Sequence, residues 1–115
     1  MLQKLRTICY HVEDLPKAKA WYISFTGINP YFDHPFYVGF DINGFELGLD
    51  PDMSQVAAGN HTCSYWQVSN LQETIDKAIS LGATLFSPVT QVGPNMYVAV
   101  VEDPFGNHIG LITEN

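Results

Sequence analysis

Apolar and polar positions along the chain alternate between a two-residue and a 3.6-residue period, and the same succession occurs twice. Residues 4–11 are rich in β-formers and read as a strand. It ends at Asp14-Leu15-Pro16, where Asp14 can cap a helix and Pro16 suits its first turn. Leu15, Ala18, Tyr22 and Phe25 then recur at helical spacing, and Gly27 supplies the stop. Residues 36–42 and 45–49 read as strands joined by the hairpin turn Asn43-Gly44. The stretch PDMSQVAAGN (51–60) reads as a linker. Beyond it, residues 61–68 form a strand, and Asn70 with Glu73 makes an Asn-x-x-Glu capping signal. Leu71, Ile75 and Ala78 supply an apolar helical stripe that stops at Gly82, and strands follow around 84–86, 96–102 and 108–113.

The repetition extends to local sequence. VEDL (12–15) overlays VSNL (68–71) at an offset of 56 (68 − 12), and GFELGL (44–49) overlays HIGLIT (108–113) at an offset of 64 (108 − 44). One longer loop in the second half, SPVTQVGPN (87–95), accommodates the difference. Two anchors in the same order, with a strand–helix–strands plan between them, point to an internal duplication. The chain is read as one domain, 1–115, with module one at about 1–50, the linker at 51–60 and module two at about 61–115.

Composition narrows the class of partner. With 46 % hydrophobic and 15 % charged residues, the chain can bury a core and is not disordered. Twelve acids against five bases give a net charge of −7, which repels phosphate backbones and anionic lipid surfaces. Neither nucleic acid nor a membrane is expected as a partner. No stretch approaches the length of a membrane span, and the first residues lack the pattern of a secretory signal, so a cytoplasmic location is expected. Cys9 and Cys63 form no C-x-x-C and are expected as buried thiols rather than a disulfide.

V-x-D-L after the first strand and E-D-P-x-G-N before the last, in a duplicated strand–helix–strands plan, resembles the vicinal oxygen chelate superfamily. That group includes glyoxalase I, extradiol dioxygenases, fosfomycin-modifying enzymes and bleomycin-resistance binding proteins. VEDLPKAKAWYISFTGI (12–28) and VEDPFGNHIGLI (101–112) carry the resemblance, which covers essentially the whole chain. It implies an α+β fold in which two tandem βαβββ modules form a curled mixed sheet around a trough, with the helices on the outside. It also implies a homodimer with a small molecule in the trough. Because such a scaffold hosts metal catalysis, covalent transfer and simple capture, function must be argued from the site.

The resemblance places metal ligands at four positions, which here are Thr7, Cys63, Glu46 and Gly110. A divalent ion wants several converging imidazole and carboxylate groups, and this set holds one carboxylate, one thiol, one hydroxyl and one blank. No metal cofactor is therefore expected, with a divalent metal as the lesser alternative. A relocated site drawing on His61, Cys9 or His11, and His108 is the form that alternative takes.

Strand parity assigns Leu5, Thr7, Cys9 and His11 to the trough face, and Ile8, Tyr10 and Val12 to the helix face. His61, Cys63, Tyr65 and Gln67 face the trough in module two, with Trp66 and Val68 behind them; Gly44, Glu46, Gly48 and Asp50 line up on the strand after the Asn-Gly turn. The candidate small-molecule contacts are Thr7, Cys9, His11, Glu46, His61, Cys63, Tyr65, His108 and Gly110. Five aromatics in YFDHPFYVGF (31–40) can stack on a planar ligand or cover a cation. Glu46 is the candidate catalytic group, since a pocket acid with few charged neighbours can have a raised pKa and act as a general base, but ligand contact is the favoured role. The leading expectation is a metal-free small-molecule binding protein of the glyoxalase/bleomycin-resistance type. The alternative is a glyoxalase- or dioxygenase-like lyase or isomerase with an altered or relocated metal site.

Overall fold

The computed structural model describes residues 1, 3–56 and 63–114. The chain divides into two compact units, Met1–Ala57 and Ala58–Asn115. Each is a four-stranded mixed sheet with a helix, and the architecture is α+β.

In the first unit the elements are β1 (Thr7–His11), α1 (Leu15–Thr26), β2 (Phe32–His34), β3 (Tyr37–Ile42) and β4 (Phe45–Asp50). The sheet order is β1-β4-β3-β2, with β1 parallel to β4 and the other pairs antiparallel. The local signals act as the chain pattern indicates. Asp14 Oδ1 accepts from the Lys17 amide at 3.1 Å, and Gly27, at φ 72°, closes the helix with its N–H on the Ile23 carbonyl. Leu15, Ala18 and Tyr22 of α1 are buried, as are Tyr10, Val12, Val38, Phe40, Leu47 and Leu49 of the helix-facing side of the sheet. Three aromatic rings lie in this core, with Tyr10 and Tyr22 stacked at 6.0 Å and Tyr22 beside Phe40 at 6.4 Å.

The second unit comprises β5 (Ser64–Gln67), α2 (Leu71–Ser80), β6 (Thr84–Gly93), β7 (Met96–Glu102) and β8 (His108–Glu114), in the order β5-β8-β7-β6. Again the first and last strands pair in parallel. Asn70 Oδ1 accepts from the Glu73 amide at 3.0 Å, and Leu71, Ile75 and Ala78 are buried. The core here is aliphatic: Ile75, Ala99, Val101, Ile109 and Leu111.

Several expectations need correction. Strand β1 starts at Thr7 rather than at residue 4, which leaves Leu5 before the strand and exposed. Strand β5 spans Ser64–Gln67, shorter than 61–68, and His61 lies outside the described residues. The segment expected as a loop at 87–95 is mostly strand: β6 is a ten-residue edge strand that pairs with β7 through three register shifts. Such irregularities let an edge strand carry Pro88. Both cysteines are free thiols, but exposed rather than buried.

The pairing also corrects the overlay of the two halves. Thr7 lies opposite Glu46 and Cys9 opposite Gly48, whereas Tyr65, the counterpart of Cys9 at an offset of 56 (65 − 9), lies opposite Gly110. The amide of Val12 donates to the Asp50 carbonyl at 3.0 Å, and that of Val68 to the Ile112 carbonyl at 2.9 Å. The last strands therefore correspond at an offset of 62 (112 − 50). Gly48 answers Gly110, and Glu46 answers His108.

Candidate functional site

On the sheet face turned away from α1, the first unit builds a carboxylate clamp. Thr7, Glu46 and Asp41 form one row across β1, β4 and β3; Cys9, Gly48, Gly39 and Phe32 form the next. The tyrosines at 31 and 37 enclose Glu46, with the Tyr31 hydroxyl donating to Oε1 and the Tyr37 hydroxyl to Oε2. The glycines make room for these rings. A Cβ on Gly48 would lie 1.9 Å from the Tyr37 hydroxyl oxygen, and one on Gly39 would lie 3.3 Å from the Tyr31 ring. Beside the clamp is an open cleft of about 160 Å³ lined by Arg6, Tyr31, Asp41, Gly44, Phe45 and Glu46.

These bonds set the protonation state. Hydrogen bonds from Tyr31 and then Tyr37 hold the Glu46 carboxyl below its usual range, and the Arg6 guanidinium adds to the effect. Burial and the bond to Glu46 push the Tyr37 phenol well up, and the bond to Glu46 raises that of Tyr31. Glu46 is thus a carboxylate at neutral pH with both oxygens accepting, and a weaker base than a free glutamate. The expectation of a raised pKa is overturned: two phenols outweigh the modest desolvation of a carboxylate at an open cleft.

Further along the same face, Cys9, His11 and Asp50 converge. One ligand atom from each (Sγ, a ring nitrogen and a carboxylate oxygen) lies within 4.8 Å of the others. His11 is adjacent to Asp50 across the β1–β4 pair, and its Nδ1 donates to the Asp52 carbonyl at 2.8 Å.

The second unit places its counterparts differently. Gly110 is buried beneath Tyr65, and a Cβ there would lie 2.6 Å from the Ser64 carbonyl oxygen and 2.7 Å from the Tyr65 ring. Its lack of a side chain is a packing requirement. His108 Nε2 donates to Glu102 Oε1 at 3.1 Å, and its ring lies 4.1 Å from that of Phe86. Cys63 is exposed just ahead of β5, with its Sγ 3.8 Å from the Ser64 carbonyl oxygen, and partial desolvation of the sulfur raises its thiol.

The structure therefore gathers Thr7, Cys9, His11 and Glu46 on one face of the first unit, and Tyr65, Gly110 and His108 in the second. The relocated set of His61, Cys9 or His11, and His108 is drawn from different units, and its His61 is not among the described residues. The four positions that the resemblance marks for a metal do not suit one. Gly110 has no donor and no space for one, and the corrected register puts His108 in its place, where Nε2 donates to Glu102 instead; both oxygens of Glu46 accept from phenols, and the Thr7 hydroxyl accepts from Arg6 Nη1 at 2.9 Å. Sequence reasoning missed Tyr31, Tyr37 and Asp50 as site residues. The signal for the tyrosines was the aromatic run at 31–40; for Asp50, it was strand parity with Glu46.

The fold is that of solved glyoxalase/bleomycin resistance/dioxygenase proteins. It superposes on a glyoxalase/bleomycin resistance protein/dioxygenase family enzyme from Burkholderia phytofirmans PsJN with a TM-score of 0.82 and 18 % identity, covering 98 % of this chain and 100 % of that one. A glyoxalase-related enzyme from Fulvimarina pelagi gives 0.76 at 21 % identity, over 98 % of this chain and 89 % of that one. A lactoylglutathione lyase from Agrobacterium tumefaciens gives 0.77 at 16 %, over 97 % and 94 % respectively. Neither a family model nor a curated protein matches the sequence. No helix among the described residues is long and apolar enough to cross a membrane.

Proposed function

We propose that this chain is a small-molecule binding protein of the glyoxalase/bleomycin-resistance type, acting without a metal at Thr7, Glu46, Cys63 and Gly110. The observation that carries the reading is the clamp: an ionised Glu46 held by two tyrosines at the edge of a cleft that Arg6, Asp41 and Phe45 also line. Aromatic faces and an oriented carboxylate suit a planar, cationic compound, which a net charge of −7 also favours. Thr7, Cys9 and His11 extend the contact surface along β1, and His61, Cys63, Tyr65, His108 and Gly110 are its counterparts in the second half. The protein works as a homodimer in the cytoplasm, with neither nucleic acid nor membrane as partner. Exposed apolar side chains such as Phe36 and Phe86 support a protein interface.

The second reading is a lyase, isomerase or dioxygenase with Glu46 as its base; the names of structurally similar proteins favour it. A thermal-shift panel of planar aromatic cations on the wild type, Glu46→Gln and Tyr37→Phe separates the two. Capture predicts compounds that stabilise the wild type, with the shift reduced in both variants. An undiminished shift in Glu46→Gln, together with loss of turnover on a glyoxalase or dioxygenase substrate, would establish the enzyme instead.

A further inference from the structure

The cluster at the far end of β1 lies outside the clamp, and its chemistry is different. Cys9 and His11 project from one face of β1, and Asp50 ends β4 as the register partner of His11. Sulfur, imidazole and carboxylate together are a ligand set for zinc-class ions, not for magnesium or calcium, which take oxygen ligands. Ligand atoms around a tetrahedral zinc ion sit about 3.5 Å apart, given bonds of about 2.0–2.3 Å. The three ligand atoms, within 4.8 Å of one another, would draw together around an ion.

A second observation concerns orientation. The backbone of one residue, Asp52, holds two of the three ligands. Its amide donates to Asp50 Oδ1 at 2.8 Å, and its carbonyl accepts from His11 Nδ1 at 2.8 Å. Because a carbonyl only accepts, Nδ1 carries the proton and the lone pair of the neutral ring is on Nε2. Metal-binding histidines are fixed in this way, by a carbonyl or carboxylate on the other ring nitrogen. The Asp52 side chain is engaged elsewhere, accepting from the Ser54 amide at 2.9 Å and the Ser54 hydroxyl at 2.6 Å. Pro51 stiffens the intervening link.

We propose that Cys9, His11 and Asp50 form a three-ligand site for a zinc-class divalent cation, displaced by two residues along β1 from the position that the family resemblance marks. Three protein ligands leave a fourth coordination position for water or a donor atom of a bound molecule. The three side chains stand on the same sheet face as Glu46. The site shares Cys9 and His11 with the proposed contact surface, but the capture reading is carried by the Glu46 clamp and survives its failure.

The test is a cobalt(II) titration of chelator-stripped, full-length protein, followed by absorption spectroscopy and then displacement with zinc. The expected result is a thiolate-to-cobalt charge-transfer band that saturates at one equivalent per chain and collapses on adding zinc. Cys9→Ser removes the band. His11→Ala and Asp50→Asn each weaken apparent affinity by on the order of tenfold or more. Cys63→Ser leaves band and affinity unchanged. Circular dichroism confirms the fold of each variant, and if Cys9→Ser fails to fold, the other three decide. A wild type without the band, a band that survives Cys9→Ser, or affinity indifferent to both His11→Ala and Asp50→Asn would overturn the site, as would a band lost in Cys63→Ser.

Discussion

The two sheets share one register and one buried glycine, yet they cover that glycine differently. In the first unit the cover is Tyr37, which comes from β3 and whose hydroxyl crosses Gly48 to reach Glu46. In the second it is Tyr65, on β5 itself, directly opposite Gly110. The position of Glu46 is taken by His108, which turns to Glu102 and Phe86. A duplicated scaffold thus keeps its backbone contacts and differs in the side chains that flank the glycine. The first unit points two phenols at an anion; the second pairs an acid with an imidazole. Chemistry diverges where no backbone hydrogen bond is at stake.

The largest test of this comparison lies in the cores. Phe40 and Val101 occupy corresponding places, opposite Leu47 and Ile109, and both are fully buried. Phe40→Ala is expected to cost about 3–5 kcal/mol in urea unfolding, and Val101→Ala clearly less, because a smaller side chain leaves a smaller cavity. Equal losses would mean that the aromatic core of the first unit is not what distinguishes it.

The glycines give the next effect. An alanine methyl at 110 meets a backbone oxygen at 2.6 Å, while at 48 every close contact belongs to the Tyr37 side chain. Gly110→Ala is expected to destabilise by about 1–3 kcal/mol, since backbone must move. Gly48→Ala costs less stability, because the phenol swings aside, but it breaks the clamp and lowers affinity for any compound found in the thermal-shift panel. Denaturation curves and a binding isotherm for each variant check both halves of the statement.

The smallest effect concerns pH. Glu46 titrates below its ordinary value of 4.5 in the folded chain, so its contribution to stability is present above that value and disappears as pH falls through the depressed pKa. The stability gap between wild type and Glu46→Gln is expected to be level near neutrality and to shrink below about pH 4.5. It stays under ~1 kcal/mol because the carboxylate borders open water. Urea melts at several pH values measure it; a gap that widens in acid would reverse the assigned direction.

How far the sequence carries this picture depends on the kind of signal. Asp14, Gly27, Asn70 and the Asn43-Gly44 turn act within a few residues of themselves, so caps, helices and the first hairpin were legible. Face parity was also legible, since Tyr10 and Val12 are buried while Cys9 opposite them is exposed. The pairing of Glu46 with Gly110 failed for a definite reason. Strand side chains alternate with period two, so a slip of two residues leaves every residue on its face and alters no pattern of apolar positions. The strand registers and the hydrogen bonds of Val12 and Val68 reveal it. The clamp was illegible because Tyr31 precedes β2 and Tyr37 opens β3, and they come together only over β4, where their bonds to Glu46 depress its pKa. The site at Cys9, His11 and Asp50 depends on the backbone of Asp52, which no side-chain pattern encodes.

The uneven pairing of β6 has a consequence for how the protein keeps its own company. A ten-residue strand with eight exposed residues, Phe86, Val89 and Val92 among them, is a template on which any unfolded chain could extend a sheet. Pro88 withholds one amide from that edge, and three register shifts deny an intruder a continuous ladder. The irregularities that disguised the strand as a loop also act as its gatekeepers against aggregation.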